Sequence, residues 1–195
     1  MERIVTVFES HAAAEAADRA ALAAMSPQAR LDLLLRRIRR DREGLGEPAS
    51  DVNVRVGSLL SRHVEFLVVG GHAVAFHGYP RLTEDLDLFV RPTHENGQRI
   101  VEALKAFGFA SLGLGPDAFT APDRVIQLGR APNRIDLLTG IPGVSFDEAW
   151  PARVQADLDG LGVFMIGRDA LIRNKRATGR PQDLADAERL ESGPG

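Results

Sequence analysis

The sequence predicts an α+β fold in which a mixed central sheet is flanked by helices, and three observations support this. Short apolar runs typical of strands, such as EFLVV, DLDLFV and RIDLL, are interleaved with segments of helical periodicity. These segments do not repeat as a regular strand–helix–strand unit, which argues against an all-parallel sheet. The segment ARVQADLDGLGVFMIG is typical of a hairpin with its turn near Asp159 and Gly160, which adds an antiparallel pair.

Composition limits the classes of function. The chain has 195 residues, of which 44% are hydrophobic, enough to bury a core of ordinary size. A net charge of −3 excludes a chain-wide basic surface for nucleic acid, so any such contact must be local. The absence of cysteine excludes disulfides and cysteine-based zinc sites and is consistent with a cytoplasmic protein. No apolar run approaches the roughly 20 residues that span a bilayer, and the N-terminus lacks a signal-peptide core, so we expect no membrane partner.

Residues 1–46 are predicted to form a helical appendage. The run RIVTVF suggests a short strand, and Ser10 suggests the start of an alanine-rich helix. A second helix is predicted to begin at Ser26 and Pro27, with an apolar face formed by Leu31, Leu34, Leu35 and Ile38. Its last turns carry Arg36, Arg37, Arg39, Arg40 and Arg42. These arginines form either a solvated face suited to a helix C-terminus or a docking surface for a partner or an RNA backbone.

The Gly-, Pro- and Ser-containing stretch EGLGEPAS predicts a linker at 47–51 with a boundary near residue 48, followed by one domain over 52–192. In that domain we expect a helix at VNVRVGSLLSRH, a short helix at HAVAFHG and an amphipathic helix capped by Thr93. Strands are expected at EFLVVGG, DLDLFV, RVIQLG and RIDLLTG, before the hairpin. Two terminal helices are expected to be separated at Gly179 and Pro181.

Two aspartates interrupt the apolar strand DLDLFV. Asp85 and Asp87 lie two positions apart, so on a strand they share one face, while Leu86 and Leu88 point to the opposite face and into the core. Paired carboxylates suit a hard divalent cation, and Mg²⁺ commonly combines one or two carboxylates with substrate phosphates. Asp136 is a third acid in an apolar strand, and it shares this face if its strand is a neighbour of the first.

A glycine pair precedes these acids. Gly70 and Gly71 lie between a strand and a short helix, where they allow the backbone to approach a ligand and where the helix N-terminus favours phosphate. The pair is neither a Walker A loop nor a GxGxxG motif. Taken alone, a glycine pair is usually only a tight turn, so its significance lies in its combination with the acids.

The combination VVGGHAVAFHGYPRLTEDLDLFV resembles the nucleotidyltransferase superfamily of the DNA polymerase beta type. Within it the chain looks like the small bacterial and archaeal nucleotidyltransferases of toxin–antitoxin type, including the AbiE-like toxins. The shared R-x-T-x-D-[IL]-D pattern is met by Arg81, Thr83, Asp85, Leu86 and Asp87. A later shared element is met in KRATGRPQDLAD by Lys175, Gly179, Arg180, Asp183 and Asp186, and departs from the pattern at Gln182. The resemblance covers 52–192.

The resemblance implies a nucleotidyltransferase fold and a Mg²⁺-dependent enzyme that transfers a nucleoside monophosphate from an NTP, ATP included, to an RNA (tRNA-like) or protein acceptor. It implies that Asp85, Asp87 and Asp136 are catalytic and hold two Mg²⁺ ions, with Asp136 also able to take the acceptor proton. It implies a nucleotide-binding role for a second set of residues, namely Gly70, Gly71, Arg81, Thr83, Lys175 and Arg180. Residues 1–46 resemble short helical proteins often encoded beside such transferases, which suggests a cognate toxin or antitoxin partner.

Other interpretations stay open at this point. The chain is alternatively a catalytically weak antitoxin or regulatory module that acts through protein contacts, or, less favoured by the order of the motifs, a metal-dependent phosphohydrolase. Lys175 can serve only the helix dipole, Arg81 only an ion pair with Asp183 or Asp186, and those two acids only the start of the last helix. The histidines at 72 and 77 are five residues apart, which does not suit a helical metal pair. The identity of the nucleotide, the acceptor and the oligomeric state are not fixed by these motifs.

Overall fold

The computed structural model describes residues 20–44, 50–81, 83, 85–106, 113–129 and 134–193. Within these ranges the chain is α+β, with a mixed six-stranded sheet flanked by helices, as predicted. The strand predicted at RIVTVF, the start of the helix at Ser10 and most of the linker lie outside the described residues. Residues 20–23 are helical.

The described elements follow the predicted order closely. The α-helices are α1 (Pro27–Gly44), α2 (Ser50–Ser61), α3 (Gly70–His77), α4 (His94–Ala106), α5 (Phe146–Ala149), α6 (Arg168–Thr178) and α7 (Pro181–Ser192). The strands are β1 (Phe66–Val68), β2 (Asp85–Val90), β3 (Val125–Leu128), β4 (Arg134–Leu138), β5 (Val154–Leu158) and β6 (Leu161–Met165). Short 3₁₀ helices span Pro116–Phe119 and Trp150–Ala152.

The sheet is mixed because its central strands pair in both directions. The strand order is β3-β4-β2-β1-β6-β5. Strand β2 is antiparallel to β1 and parallel to β4, and β1 is parallel to β6. The outer pairs β3–β4 and β5–β6 are antiparallel. This order places β1, which leads into the glycine pair, directly beside the aspartate-bearing strand β2.

Turn and cap signals in the sequence account for several element ends. The Ser26 hydroxyl accepts a hydrogen bond from the amide of Ala29 at 3.1 Å, which caps α1. The Thr93 hydroxyl accepts one from the amide of Asn96 at 3.3 Å, as expected for the start of α4. The β5–β6 hairpin turns at Asp159, whose φ is 53°, and at the glycine that follows it. The predicted caps at Ser26 and Thr93 and the predicted hairpin are thus present.

Helix α1 packs onto the sheet domain through its apolar face. Leu31, Leu34, Leu35 and Ile38 are all buried, as their helical spacing predicts. The side-chain amide of Gln28 donates to the backbone carbonyl of Asp157 at 2.9 Å and accepts from its amide at 3.0 Å, so it pairs with the backbone of β5. Helix α1 therefore shares the core of the domain that follows, while the boundary near residue 48 stays a prediction.

Candidate functional site

Three carboxylates lie on one face of two adjacent strands. In the parallel pairing of β2 with β4, Asp87 is directly opposite Asp136, and Asp85 is one pleat earlier on the same face. The alternate residues Leu86 and Leu88 are buried, with 3% and 0% exposure, on the other face. The sequence predicted that Asp136 shares this face only if its strand is a neighbour of β2. Strand β4 is that neighbour, so Asp136 lies beside the other two acids. We call Asp85, Asp87 and Asp136 the acid face.

The glycine pair lies against this face. The amide of Val69 donates to the carbonyl of Asp87 at 3.0 Å, which fixes the turn from β1 into α3 beside β2. Gly70 has a φ of 60°, and a Cβ there would lie 2.8 Å from Cγ of Asp87 and closer still to its Oδ2. A Cβ on Gly71 would lie 2.7 Å from Cβ of Thr83. Glycine is therefore required at both positions, because a side chain would collide with Asp87 or Thr83, and at Gly70 also because of its positive φ.

Burial and like charge make Asp87 unusual. Burial, and then the neighbouring carboxylates Asp136 and Asp85, raise the pKa of Asp87 to about 6. Lys175 and Arg134 act in the opposite direction. A carboxyl group that titrates so close to neutrality, among two further acids and beside a glycine turn, is typical of a functional site.

Arg134 bridges two of the three acids. It lies opposite Asp85 in the strand pairing, and its guanidinium forms an ion pair with Oδ2 of Asp85. Its Nε lies 3.1 Å from Oδ1 of Asp136, although the two are not aligned as a hydrogen bond. The sequence reasoning did not single out Arg134. The signal was available, because Arg134 and Asp136 are two residues apart on one strand and must share a face.

The chemistry of the acid face fits a divalent cation. Oδ1 of Asp136 is buried and accepts no hydrogen bond from the described residues, and Oδ2 accepts one from Gln127 at 3.4 Å. Three carboxylates with such an oxygen are suitable ligands for Mg²⁺. Among the residues that the structure describes, no group of three or more acid, histidine or cysteine side chains is already arranged to hold a metal ion. Asp85 and Asp136 are instead directed at Arg134.

A network of cations and acids joins helices α6 and α7. Nζ of Lys175 lies 2.5 Å from Asp183 and 3.8 Å from Asp186, and all three residues are buried. Arg180 contacts the other oxygen of Asp183 at 2.6 Å, and Arg81 lies 3.1 Å from Asp186. The hydrogen bonds from Lys175 and Arg180 outweigh the effect of burial and hold the pKa of Asp183 below its usual value. We call these five residues the cation network.

Three residues that were predicted to bind the nucleotide, Arg81, Lys175 and Arg180, belong to the cation network. The alternative in which Arg81 forms an ion pair with Asp186 is what the structure shows. Lys175 lowers the pKa of Asp87, although its Nζ contacts Asp183 and Asp186. The nucleotide-binding roles of Lys175, Arg180 and Arg81 remain predictions, because their present contacts are with Asp183 and Asp186.

A cleft opens beside the acid face. Its empty space, open solvent included, is about 440 Å³. Its walls come from α1, α2, α3, the starts of β2 and β4, and the β5–β6 turn. Its lining residues are Leu35, Ile38, Arg39, Val52, Asn53, His72, Thr83, Asp85, Leu86, Arg134, Leu158 and Asp159. Arg39 lies 3.3 Å from Asp159 across part of this cleft. The contribution of α1 was not expected, because sequence reasoning placed that helix in an appendage.

The histidines of α3 and Trp150, which the sequence also brought into question, are accounted for by packing or by the cleft. Nε2 of His77 lies 2.6 Å from the carbonyl of Ile166, and burial lowers the pKa of His77, so this ring is packed as predicted. Trp150 stacks on Phe146 with 5.2 Å between ring centroids, which agrees with its predicted packing role. His72 lines the cleft rather than pairing with His77.

No model of a known protein family matches the sequence, and no curated protein matches it. Among the described residues, no helix combines the length and the apolar character needed to cross a bilayer. The case for function therefore depends on the geometry of the acid face, the glycine pair and the cation network.

Proposed function

We propose that this protein is a Mg²⁺-dependent nucleotidyltransferase that transfers a nucleoside monophosphate from an NTP to an RNA or protein acceptor. The observation that carries the proposal is the contact between Gly70 and Asp87, since it unites the glycine turn and the carboxylates in one site. A glycine turn at a helix N-terminus suits phosphate, and three acids on adjacent strands suit divalent cations, so the pair is compatible with transfer of a nucleotidyl group. The resemblance of the same residues to polymerase beta-type nucleotidyltransferases supports this and suggests a toxin–antitoxin or phage-defence setting.

The acid face and the glycine turn have separate tasks in this proposal. Asp85, Asp87 and Asp136 would hold the divalent cations, which would offset the charge on the reacting phosphate. The amides that follow Gly70 and Gly71 bind the triphosphate, with Thr83 packed against the turn. An acceptor oxygen attacks the α-phosphorus, the bond from that phosphorus to the bridging oxygen breaks, and pyrophosphate leaves. Oδ1 of Asp136, which accepts no hydrogen bond from the described residues, takes the acceptor proton in this proposal.

The cation network supplies positive charge to the site in this proposal. Lys175, Arg180 and Arg81 bind β- or γ-phosphate oxygens in this proposal, and Asp183 and Asp186 hold them in place beforehand. Preorganised cations of this kind stabilise charge without having to be ordered during the reaction. This gives the two acids, whose roles the sequence could not assign, a positioning function.

Charge along α1 favours RNA as the acceptor. Arg36, Arg37 and Arg40 are exposed, and Arg39 lines the cleft that Asp85 also lines. Arginines three and four residues apart on a helix repel one another, so such a face is more favourable beside a polyanion. A protein acceptor remains the second outcome of the test.

The proposal is tested by incubating the protein with each labelled NTP, Mg²⁺ and cell lysate. Label removed by RNase identifies an RNA acceptor, and label removed by protease identifies a protein. Asp85→Asn and Asp87→Asn should abolish transfer while the circular dichroism spectrum is retained. Two results together would favour the regulatory alternative instead. The wild-type protein would neither bind an NTP with Mg²⁺ nor transfer label, and pull-down of a partner would depend on residues 1–46 and not on Asp85.

A further inference from the structure

Arg134 occupies the space between two of the three carboxylates that are predicted to bind metal. Its guanidinium contacts Oδ2 of Asp85, and its Nε lies 3.1 Å from Oδ1 of Asp136. The side chain of Arg134 is 30% exposed and lines the cleft, so it has room to move without unfolding the strand. Two contacts on two adjacent strands also make this guanidinium a clamp that holds the carboxylates together.

The other cations near the site are committed elsewhere. Lys175 and Arg180 contact Asp183, and Arg81 contacts Asp186, all within the cation network. The described ion pairs of Arg134, in contrast, are with members of the acid face itself. Arg134 is therefore the cation that a metal ion at this face has to meet.

We propose that Arg134 is the resident counter-cation of the acid face and that a divalent cation displaces it; this rests on the proposed function. Mg²⁺ binds carboxylate oxygens at about 2.0–2.1 Å. The oxygens in question are those that the Arg134 guanidinium now contacts. Two cations that share the same oxygens repel each other strongly at such distances. Metal binding therefore includes the release of Arg134 from Asp85 and Asp136.

The exchange links metal binding to substrate binding. Before the metal binds, Arg134 offsets part of the charge of the acid face and keeps the carboxylates ordered. After release, its side chain remains at the cleft that it already lines, with N–H donors available for a substrate phosphate. Arg134 is thus a positioning residue whose contacts alternate between the carboxylates and the substrate.

The test measures binding of Mn²⁺ alone, by electron paramagnetic resonance of the free ion, to three proteins. These are the wild type, Arg134→Gln, and Arg99→Gln as a control that removes an arginine paired with Glu95 on α4. Arg134→Gln should bind Mn²⁺ about tenfold more tightly, the equivalent of one charge-assisted hydrogen bond that no longer has to be broken. Arg99→Gln should bind like the wild type. A folded Arg134→Gln protein with unchanged or weaker Mn²⁺ binding overturns the proposal.

A second measurement covers the case in which Arg134→Gln does not fold. The Nε–Hε NMR signal of Arg134, assigned by its loss in Arg134→Lys, is followed in the wild type as Mg²⁺ is added. The signal should shift in proportion to Mg²⁺ occupancy, and a signal that stays in place at saturation overturns the proposal. Tight Mn²⁺ binding with the expected dependence on Arg134 but no nucleotidyl transfer refutes only the proposed function. If the protein transfers a nucleotide but Arg134→Gln and the wild type bind Mn²⁺ equally well, only the displacement of Arg134 by the metal ion is refuted.

Discussion

Replacing Asp87 by asparagine should stabilise the fold at neutral pH and have little effect in acid. Burial and the neighbouring carboxylates Asp136 and Asp85 raise the pKa of Asp87 from 3.8 to about 6. Asparagine has almost the same shape but no charge to desolvate and no carboxylate to repel. The substitution therefore isolates the cost of holding this third negative charge in the folded state.

The sign and size follow from the two pKa values. Between pH 3.8 and about 6 the folded state keeps a proton on Asp87 that the unfolded state has lost, so stability falls as the pH rises through this window. Above about pH 6 the whole penalty is present. At about 1.4 kcal/mol for each pH unit, the penalty reaches about 3 kcal/mol. Asp87→Asn should thus be more stable than the wild type by up to about 3 kcal/mol at pH 7.5 and nearly equal to it below pH 4.

The assay is urea denaturation of both proteins from pH 4 to pH 8 with a chelator present, because the difference between them removes the titration of groups that do not interact with Asp87. Glu102→Gln, which removes an exposed carboxylate on α4, is the control and should show no such pH-dependent gain. Added Mg²⁺ should stabilise the wild type and so narrow its gap to Asp87→Asn. A variant that is less stable than the wild type at pH 7.5, or a difference that does not change with pH, would refute the account of the site as a cluster of opposed charges.

Three further predictions test other parts of the structure. Gly70→Ala should lower the free energy of unfolding by at least about 1–2 kcal/mol, because the residue has a positive φ. It should also abolish NTP binding, because the added Cβ displaces the Asp87 carboxylate. The control Gly160→Ala also has a positive φ but has open space around it, so it should lower stability and leave NTP binding unchanged. Lys175→Met should cost about 2 kcal/mol in urea denaturation, since its carboxylate partners are left buried, and should weaken NTP binding in calorimetry. Leu34→Ala should lower the free energy of unfolding by about 2–5 kcal/mol, because Leu34 is fully buried, and the protein should still unfold in one cooperative transition. If the rest of the domain melts as in the wild type, α1 folds independently of that domain.

The part of the acid face on β2 could be predicted from the sequence because strand periodicity is a local property. Asp85 and Asp87 have to share a face, and Leu86 has to take the other, whatever the rest of the fold does. The pairing of β2 with β4 in register, with Asp136 opposite Asp87, could not be read from either strand alone. It depends on which strands become neighbours, and that choice is made by the packing of the whole sheet.

The partners of the cations were the part that the sequence left undecided. Lys175 had a dipole role and a phosphate role as equal alternatives, and its contact with Asp183 requires the crossing of α6 and α7. Arg134 was overlooked because an arginine at the start of a strand is ordinary, and only its register opposite Asp85 makes it a bridge. Helix α1 was separated from the domain on the basis of the Gly- and Pro-containing linker. Composition shows where a chain bends, but it does not show that Leu31 will be buried in the core of the following domain.

The acid face and the cation network carry opposite net charges, which fits the proposed chemistry. The acid face combines three carboxylates with one guanidinium and is left with an excess of negative charge. The cation network combines three cations with two carboxylates and is left with an excess of positive charge. Lys175 links the two, because it belongs to the network and still lowers the pKa of Asp87. A triphosphate with divalent cations has the complementary arrangement, with its metal ions directed to the acids and its terminal phosphates to the cations. The partly buried carboxyl group of Asp87 lies beside a glycine turn, and burial and the neighbouring carboxylates raise its pKa to about 6, which supports the proposed catalytic role over a purely regulatory one.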